Sequence, residues 1–293
     1  MSLPADDAAL LALARPDGPE PGARGLFRDD GWLRRVAGSP VAIFGGGRAL
    51  LLEVAHPFVA AAVAEHSAYR SDPFGRLGRT LAALKTITFG ELPEALAAAR
   101  AVDRAHTHVR GRLPGPAGRY PAGARYSGRD PEAVRWVWAT LADTAWLLYE
   151  RFVAPLDSTE RESYYAEQRV LARLLGVPPE RVPSDWEAFR RYFDAMVEGD
   201  GLAVTSLARE IAAVALAAPG DVGSVRRVRA ITTGLLPPRL RHAFGLSWDE
   251  ARERRLDAMI AGVRALRADG PQAAACDPPG NRAPSAADPS QEP

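Results

Sequence analysis

Proline and glycine punctuate this chain with one polarity, and that polarity leaves little room for anything but helices. Pro73 begins an apolar run that Gly90 ends; Pro93 sits in the first turn of the next run, and Gly111 lies just beyond it. A proline is tolerated in a first turn, where its missing N–H would have had no partner, and a glycine readily ends a helix. Asp130-Pro131 opens a longer run in the same way. Between these marks apolar residues recur at helical spacing, and no stretch of alternating β-branched residues suggests a strand. The pattern predicts an all-α fold, a single multi-helix domain of eight or more helices. They fall at about 47–69 (kinked or broken at Pro57), 73–88, 91–110, 130–153, 159–175, 184–198, 203–217, 222–234 and 247–268. Thr159 with Glu162, and Ser184 with Glu187, have capping-box spacing at two of those starts.

The ends read differently. Residues 1–24 and 270–293 are rich in proline and glycine and lack apolar periodicity, so both are expected to be disordered and the working domain to span 25–269. With 47% hydrophobic and 25% charged residues the domain can bury a sizeable core. A formal charge of +1, with no run of like charge between residues 30 and 260, offers no stripe for phosphates, which argues against nucleic acid as a partner. The one cysteine, Cys276, sits in the C-terminal tail, so neither an intrachain disulfide nor a cysteine metal cluster can form. The longest apolar stretch, residues 49–64, is interrupted by Glu53, His56 and Pro57 and falls short of the ~20 residues a membrane span needs. No basic start followed by an apolar core marks a secretory signal, and the expectation is a cytoplasmic protein without a transmembrane segment.

Histidine is the scarce chemical resource: His56, His66, His106, His108 and His242. At ~100° per residue, Leu92, Ala95, Ala99, Val102, His106 and Val109 form one stripe of the 91–110 helix, so His106 is expected to face the interior and His108, about 200° away, the solvent. An inward histidine among alanines has two readings. It is a core imidazole bonded to a carbonyl, or an axial ligand whose small neighbours leave room for a flat macrocycle; haem needs only one proximal ligand. In the 73–88 helix Arg76, Arg79 and Thr80 share one surface by their spacing of three and four residues. That surface is either solvated, or supplies two cations and a hydroxyl to an anionic oxygen or a propionate. His56-Pro57 and Glu65-His66-Ser67 bracket a half-helix and suit structural roles or cofactor contacts. Asp143, amid apolar residues, is a buried acceptor whose partner, a histidine or an arginine, the sequence leaves unnamed. Gly45-Gly46-Gly47-Arg48 permits a tight turn or offers free N–H groups to an anion, without the strand or the GK[ST] ending of a nucleotide loop. No G-x-S-x-G, H-E-x-x-H or zinc spacing is present.

Taken together, GGGRALLLEVAHPFVAAAVAEHS (45–67), DPFGRLGRTLAALKTITFG (72–90), AHTHVRG (105–111), YERFVAPL (149–156) and TTGLLPPRLRHAFGL (232–246) give the chain a signature that resembles the MpaB/rubber oxygenase catalytic domain family over about residues 30–260. In its latex-clearing members a globin-like helical core holds haem b, and isoprenoid double bonds are cleaved oxidatively with dioxygen. The resemblance implies that His106 is the proximal iron ligand, in a His-x-x-Val-x-Gly context completed by Val109 and Gly111. It matches Arg76, Arg79 and Thr80 to a distal Arg-x-x-Lys-Thr group, and leaves His56 and His66 as further cofactor-contacting candidates. One departure counts: Arg79 replaces a lysine that can approach iron, and a guanidinium stays protonated and does not ligate a metal. The expected activity is haem b-dependent oxygenation of a hydrophobic, unsaturated, isoprenoid- or lipid-like small molecule with dioxygen. The rivals are a non-catalytic haem sensor or carrier, and a helical lipid-binding protein without haem.

Overall fold

In the computed structural model the described residues are 2–15, 24–217 and 222–268. Thirteen α-helices account for most of them: α1 (Asp7–Ala14), α2 (Trp32–Ala37), α3 (Gly46–Val54), α4 (Pro57–His66), α5 (Pro73–Phe89), α6 (Leu92–Thr107), α7 (Pro131–Phe152), α8 (Ser158–Leu174), α9 (Trp186–Glu198), α10 (Ser206–Leu216), α11 (Val222–Gly234), α12 (Pro238–Ala243) and α13 (Glu250–Ala268). The all-α expectation holds, with one small exception. The 111–130 stretch carries an antiparallel hairpin, β1 (Arg110–Arg112) and β2 (Arg125–Ser127), whose Gly111 lies opposite Tyr126. Three-residue strands are too short for an alternating pattern to register in the sequence.

Helix starts follow side-chain chemistry. Asp130 accepts from the N–H groups of Glu132 and Ala133 and heads α7. The cap of α8 is Asp157 with Glu160 rather than Thr159 with Glu162, and that of α9 is Asp185 rather than Ser184, whose hydroxyl donates to Asp185 instead. In both places an ionised carboxylate near the expected hydroxyl takes the free N–H groups, because a charged acceptor near the positive helix end is the stronger cap. Pro57 breaks rather than kinks its helix: the stretch ending at Val54 and α4 turn by 109°. No single helix among the described residues is long and apolar enough to cross a membrane.

The stretch 1–24, read as disordered, contains α1. Its Leu10 and Ala14 are fully buried against α8, and the Ala14 carbonyl accepts from Arg173. Eight residues present too few periods for a stripe to be legible, so packing rather than pattern makes this helix. Residues 16–23 and the tail 270–293, with Cys276, lie outside the described residues.

The long helix α7 is the axis of the core. Trp136 and Trp138 are fully buried, the first donating to the Leu52 carbonyl at 2.8 Å and the second to Gln168 at 3.2 Å, so each large ring also satisfies its N–H. Tyr164 on α8 donates to the Ala142 carbonyl at 2.8 Å. The 45–48 motif explains how α3 reaches α7 so closely. A Cβ on Gly45 would meet Leu148 and Thr144 at 2.8 Å, and one on Gly47 would meet Thr232 of α11 at 2.3 Å. Gly45 and Gly46 have ordinary helical dihedrals, so these glycines serve close packing, neither a special turn nor an anion cradle.

Arg48 then enters the core at 3% exposure and meets Asp143 at 2%. Its guanidinium donates to the Leu235 carbonyl (2.7 Å) and the Thr144 hydroxyl (2.6 Å), and pairs with Asp143 at 2.7 Å. Arg190 of α9 pairs with the other Asp143 oxygen and with Asp194 at 2.9 Å. Asp143 thus has two guanidinium partners, the acceptor role expected of it. Removing one side of such a pair leaves a buried charge uncompensated. Asp143→Ala should therefore lower unfolding free energy in urea by about 3–5 kcal/mol; Arg190→Met, whose guanidinium is partly solvated, should cost clearly less.

Candidate functional site

Helices α5 and α6 pack along each other antiparallel from the turn at Gly90-Glu91, a start fixed by the reciprocal Glu91/Glu94 capping box. On α6, Ala95 and Ala99 are buried, Leu92, Val102 and His106 half-buried, and His108 exposed, the split that the stripe predicts. The end of α6 is clamped by the hairpin: the His106 carbonyl accepts from Val109, and the Val109 carbonyl from Gly128 at 2.7 Å. Gly111 has a steric reason to be glycine, since a Cβ there would lie 2.5 Å from the Tyr126 hydroxyl and 2.6 Å from the Glu65 carboxylate.

Burial lowers the pKa of the His106 imidazole, opposed by the Asp103 carboxylate and reinforced by Arg129, so the ring is neutral at neutral pH. Its ring nitrogens make no hydrogen bond among the described residues, and Asp103 is committed to Arg129 at 2.7 Å and to the Leu3 N–H. The imidazole is thus half-buried on a helix of small residues, beside Asp103 and Arg129. Three or more His, Cys, Asp or Glu side chains able to hold a bare metal ion do not occur together among the described residues.

The trio on α5 is more open. Arg79 and Thr80 are exposed, and a Cβ on Gly78 would meet nothing within 4 Å. Arg79 pairs at 3.1 Å with Asp72, whose carboxylate also caps α5 through the Gly75 N–H and is held below its ordinary pKa, first by that N–H and then by Arg79. The Arg76 side chain lies outside the described residues.

His56 and His66 are engaged elsewhere. The His56 ring is fully buried; Nδ1 accepts from the Phe58 N–H at 3.2 Å, capping α4, and Nε2 faces the Tyr120 hydroxyl at 3.3 Å. That hydroxyl donates to Glu132 at 2.9 Å, which Arg119 also grips. Exposed His66 lies 3.1 Å from the Arg110 carbonyl and 3.4 Å from the Tyr126 hydroxyl. Both serve the hairpin, the structural side of the two readings. Burial, reinforced by Arg119, depresses the His56 pKa to about 4. The folded ring resists the proton that the unfolded chain accepts near pH 6.5, so stability is full above that pH and falls as pH drops from 6.5 to about 4. His56→Gln should flatten this part of a plot of melting temperature against pH.

Two shallow clefts lie among the described residues, and His106 lines neither. One, of about 230 Å³, lies between α10 and the residues around Arg229 and Phe244. The other, of about 430 Å³, opens over the Arg48–Asp143 pair. Sequence reasoning missed Arg48 and Arg190 as partners of Asp143. The only available signal was a lone cation heading an apolar helix.

Comparison with known proteins agrees with the signature. The family model described as ER-bound oxygenase mpaB/B'/rubber oxygenase, catalytic domain, matches residues 34–265. Two relatives, uncharacterized proteins of Mycobacterium tuberculosis and Mycobacterium bovis, are each 29% identical over 198 residues, covering 66% of this chain and 74% of theirs. No solved structure matches. With the match running from α2 into α13, the chain belongs to the mpaB/B'/rubber oxygenase catalytic-domain family.

Proposed function

We propose that this protein is a haem b-dependent oxygenase of a small hydrophobic, unsaturated molecule, with His106 as the proximal ligand. The observation that carries the reading is the His106 imidazole, half-buried on a helix of small residues, with its pKa lowered by burial and no hydrogen-bond partner among the described residues, in a chain whose family is one of oxygenases. Bound there, haem supplies the iron at which dioxygen is activated. The chain's own contribution is positional. The clamp of Val109 and Gly128 fixes the backbone of residue 106, and burial keeps a nitrogen lone pair free of protons. On α5, Thr80 offers a hydroxyl donor, and Arg79 a permanent cation whose charge Asp72 moderates. Arg76, one turn earlier than Thr80, is the matching cation for a propionate or an anionic oxygen. An arginine at position 79 bonds and balances charge but leaves iron ligation to others.

Reconstituting the purified chain with haemin tests this directly. Wild type should show a Soret band that His106→Ala loses while its helical circular dichroism persists; an unchanged band in that variant would place the ligand elsewhere. Given a Soret band, dioxygen uptake with isoprenoid alkenes should fall about tenfold or more in Thr80→Ala, the usual scale for removing a positioned donor.

A further inference from the structure

The signature segment 232–246 ends in a turn that the chemistry at residue 106 leaves unused, and this turn shapes a second place. After α12 the Gly245 N–H donates to the His242 carbonyl at 2.9 Å and the Leu246 N–H to the Arg241 carbonyl at 3.1 Å, with Gly245 at φ +71°. This double bond pattern closes a helix through one left-handed residue, the conformation that favours glycine. Phe244 and Leu246, on either side of that glycine, line the 230 Å³ cleft together with Ala212 and Leu216 of α10. Phe244 and Ala212 are buried, so the floor of the cleft is apolar.

Two arginines line the same cleft, Arg209 from α10 and Arg229 from α11. Arg209 is held in place by backbone: its Nε donates to the Ala243 carbonyl at 3.1 Å, next to Phe244, and its terminal nitrogens have no acceptor among the described residues. Arg229 is exposed and makes no hydrogen bond or ion pair among them. The adjacent carboxylate answers neither. Glu210 accepts from Arg70 and from the Tyr69 hydroxyl, each at 2.8 Å, and these two hold it below its ordinary pKa, Arg70 first. The stretch is basic as a whole, since residues 205–246 carry six arginines against two carboxylates, Glu210 and Asp221.

An apolar floor beside two unpaired cations selects an anion with a hydrocarbon tail. A cationic ligand would be repelled, and a neutral hydrophobe would cover guanidiniums without answering their N–H groups. Guanidinium N–H pairs match the two oxygens of a carboxylate. A sealed apolar cavity of roughly 150 Å³ already holds benzene, so an open cleft of 230 Å³ takes a tail of about six to eight carbons. We propose that this cleft binds a medium-chain carboxylate. Its two oxygens accept from Arg209 and Arg229, and its tail lies on Leu216, Phe244 and Leu246. The inference is independent of the haem reading.

Titration of the full chain, followed by NMR, with octanoate, 1-octanol and acetate tests it. Octanoate should saturate one site at least about tenfold more tightly than 1-octanol, which lacks the charge, or acetate, which lacks the tail. Added sodium chloride should weaken octanoate, because cations open to solvent are screened. Arg229→Gln, a change at an exposed side chain, should weaken octanoate about tenfold and leave 1-octanol unchanged. Ala213→Trp, at an exposed position on the cleft wall, should block octanoate while helical circular dichroism and melting temperature persist. His106→Ala should leave octanoate affinity unaltered, so that failure of the haem reading and failure of this one are distinguishable. The proposal is overturned if octanoate does not saturate, if 1-octanol or acetate matches it, or if Arg229→Gln or Ala213→Trp binds octanoate as wild type does.

Discussion

The rest of the fold is arranged around one buried contact, the Arg48 guanidinium against Asp143. Charges at 3% and 2% exposure are tolerated only when opposite charges and polar groups meet them, and here the partners come from three segments. Asp143 and Thr144 belong to α7, the Leu235 carbonyl to the turn after α11, and Arg190 to α9. Each partner must arrive at hydrogen-bond distance, so the pair acts as a geometric condition on four segments at once. Gly45 and Gly47 allow α3 near enough to α7 and α11 to satisfy it.

That condition makes α7 an axis with two chemically different ends. Around its start the 109° turn at His56-Pro57 sends α4 toward the hairpin, and the hairpin seals the end of α6 beneath His106. Further along, the Arg48–Asp143–Arg190 group floors an apolar cleft. Neither end resembles a hydrolytic or phosphate-transferring centre. One presents a half-buried imidazole, the other a charged floor beneath an apolar wall.

Family membership makes the chain an oxygenase catalytic domain, and α5 and α6 lie within the matched residues. Arg79 is paired with Asp72, the carboxylate that caps its own helix. Charge on this face of α5 is therefore partly neutralised by Asp72. That suits anchoring and charge balance rather than ligation.

Much was legible in the sequence because it rests on local physics. Proline at helix starts, glycine at helix ends and the 3.6-residue stripe located α5, α6, α7 and α11 closely, and separated His106 from His108. The five-segment signature carried the family. What failed to show was set by partners distant in sequence: α1, held by burial of Leu10 and Ala14; the hairpin, held by α4; and the close-packing purpose of Gly45 and Gly47. Asp143 could be read as a buried acceptor, yet its partners lie 95 residues earlier and 47 later, and no local pattern encodes such distances. The sequence by itself determined that the chain is helical, roughly where its longer helices lie, and that His106 is more buried than His108, since these depend on capping and periodicity within one or two turns. Only the tertiary structure decided which charges meet and where the apolar walls enclose space, because burial and long-range pairing exist only once the helices are assembled.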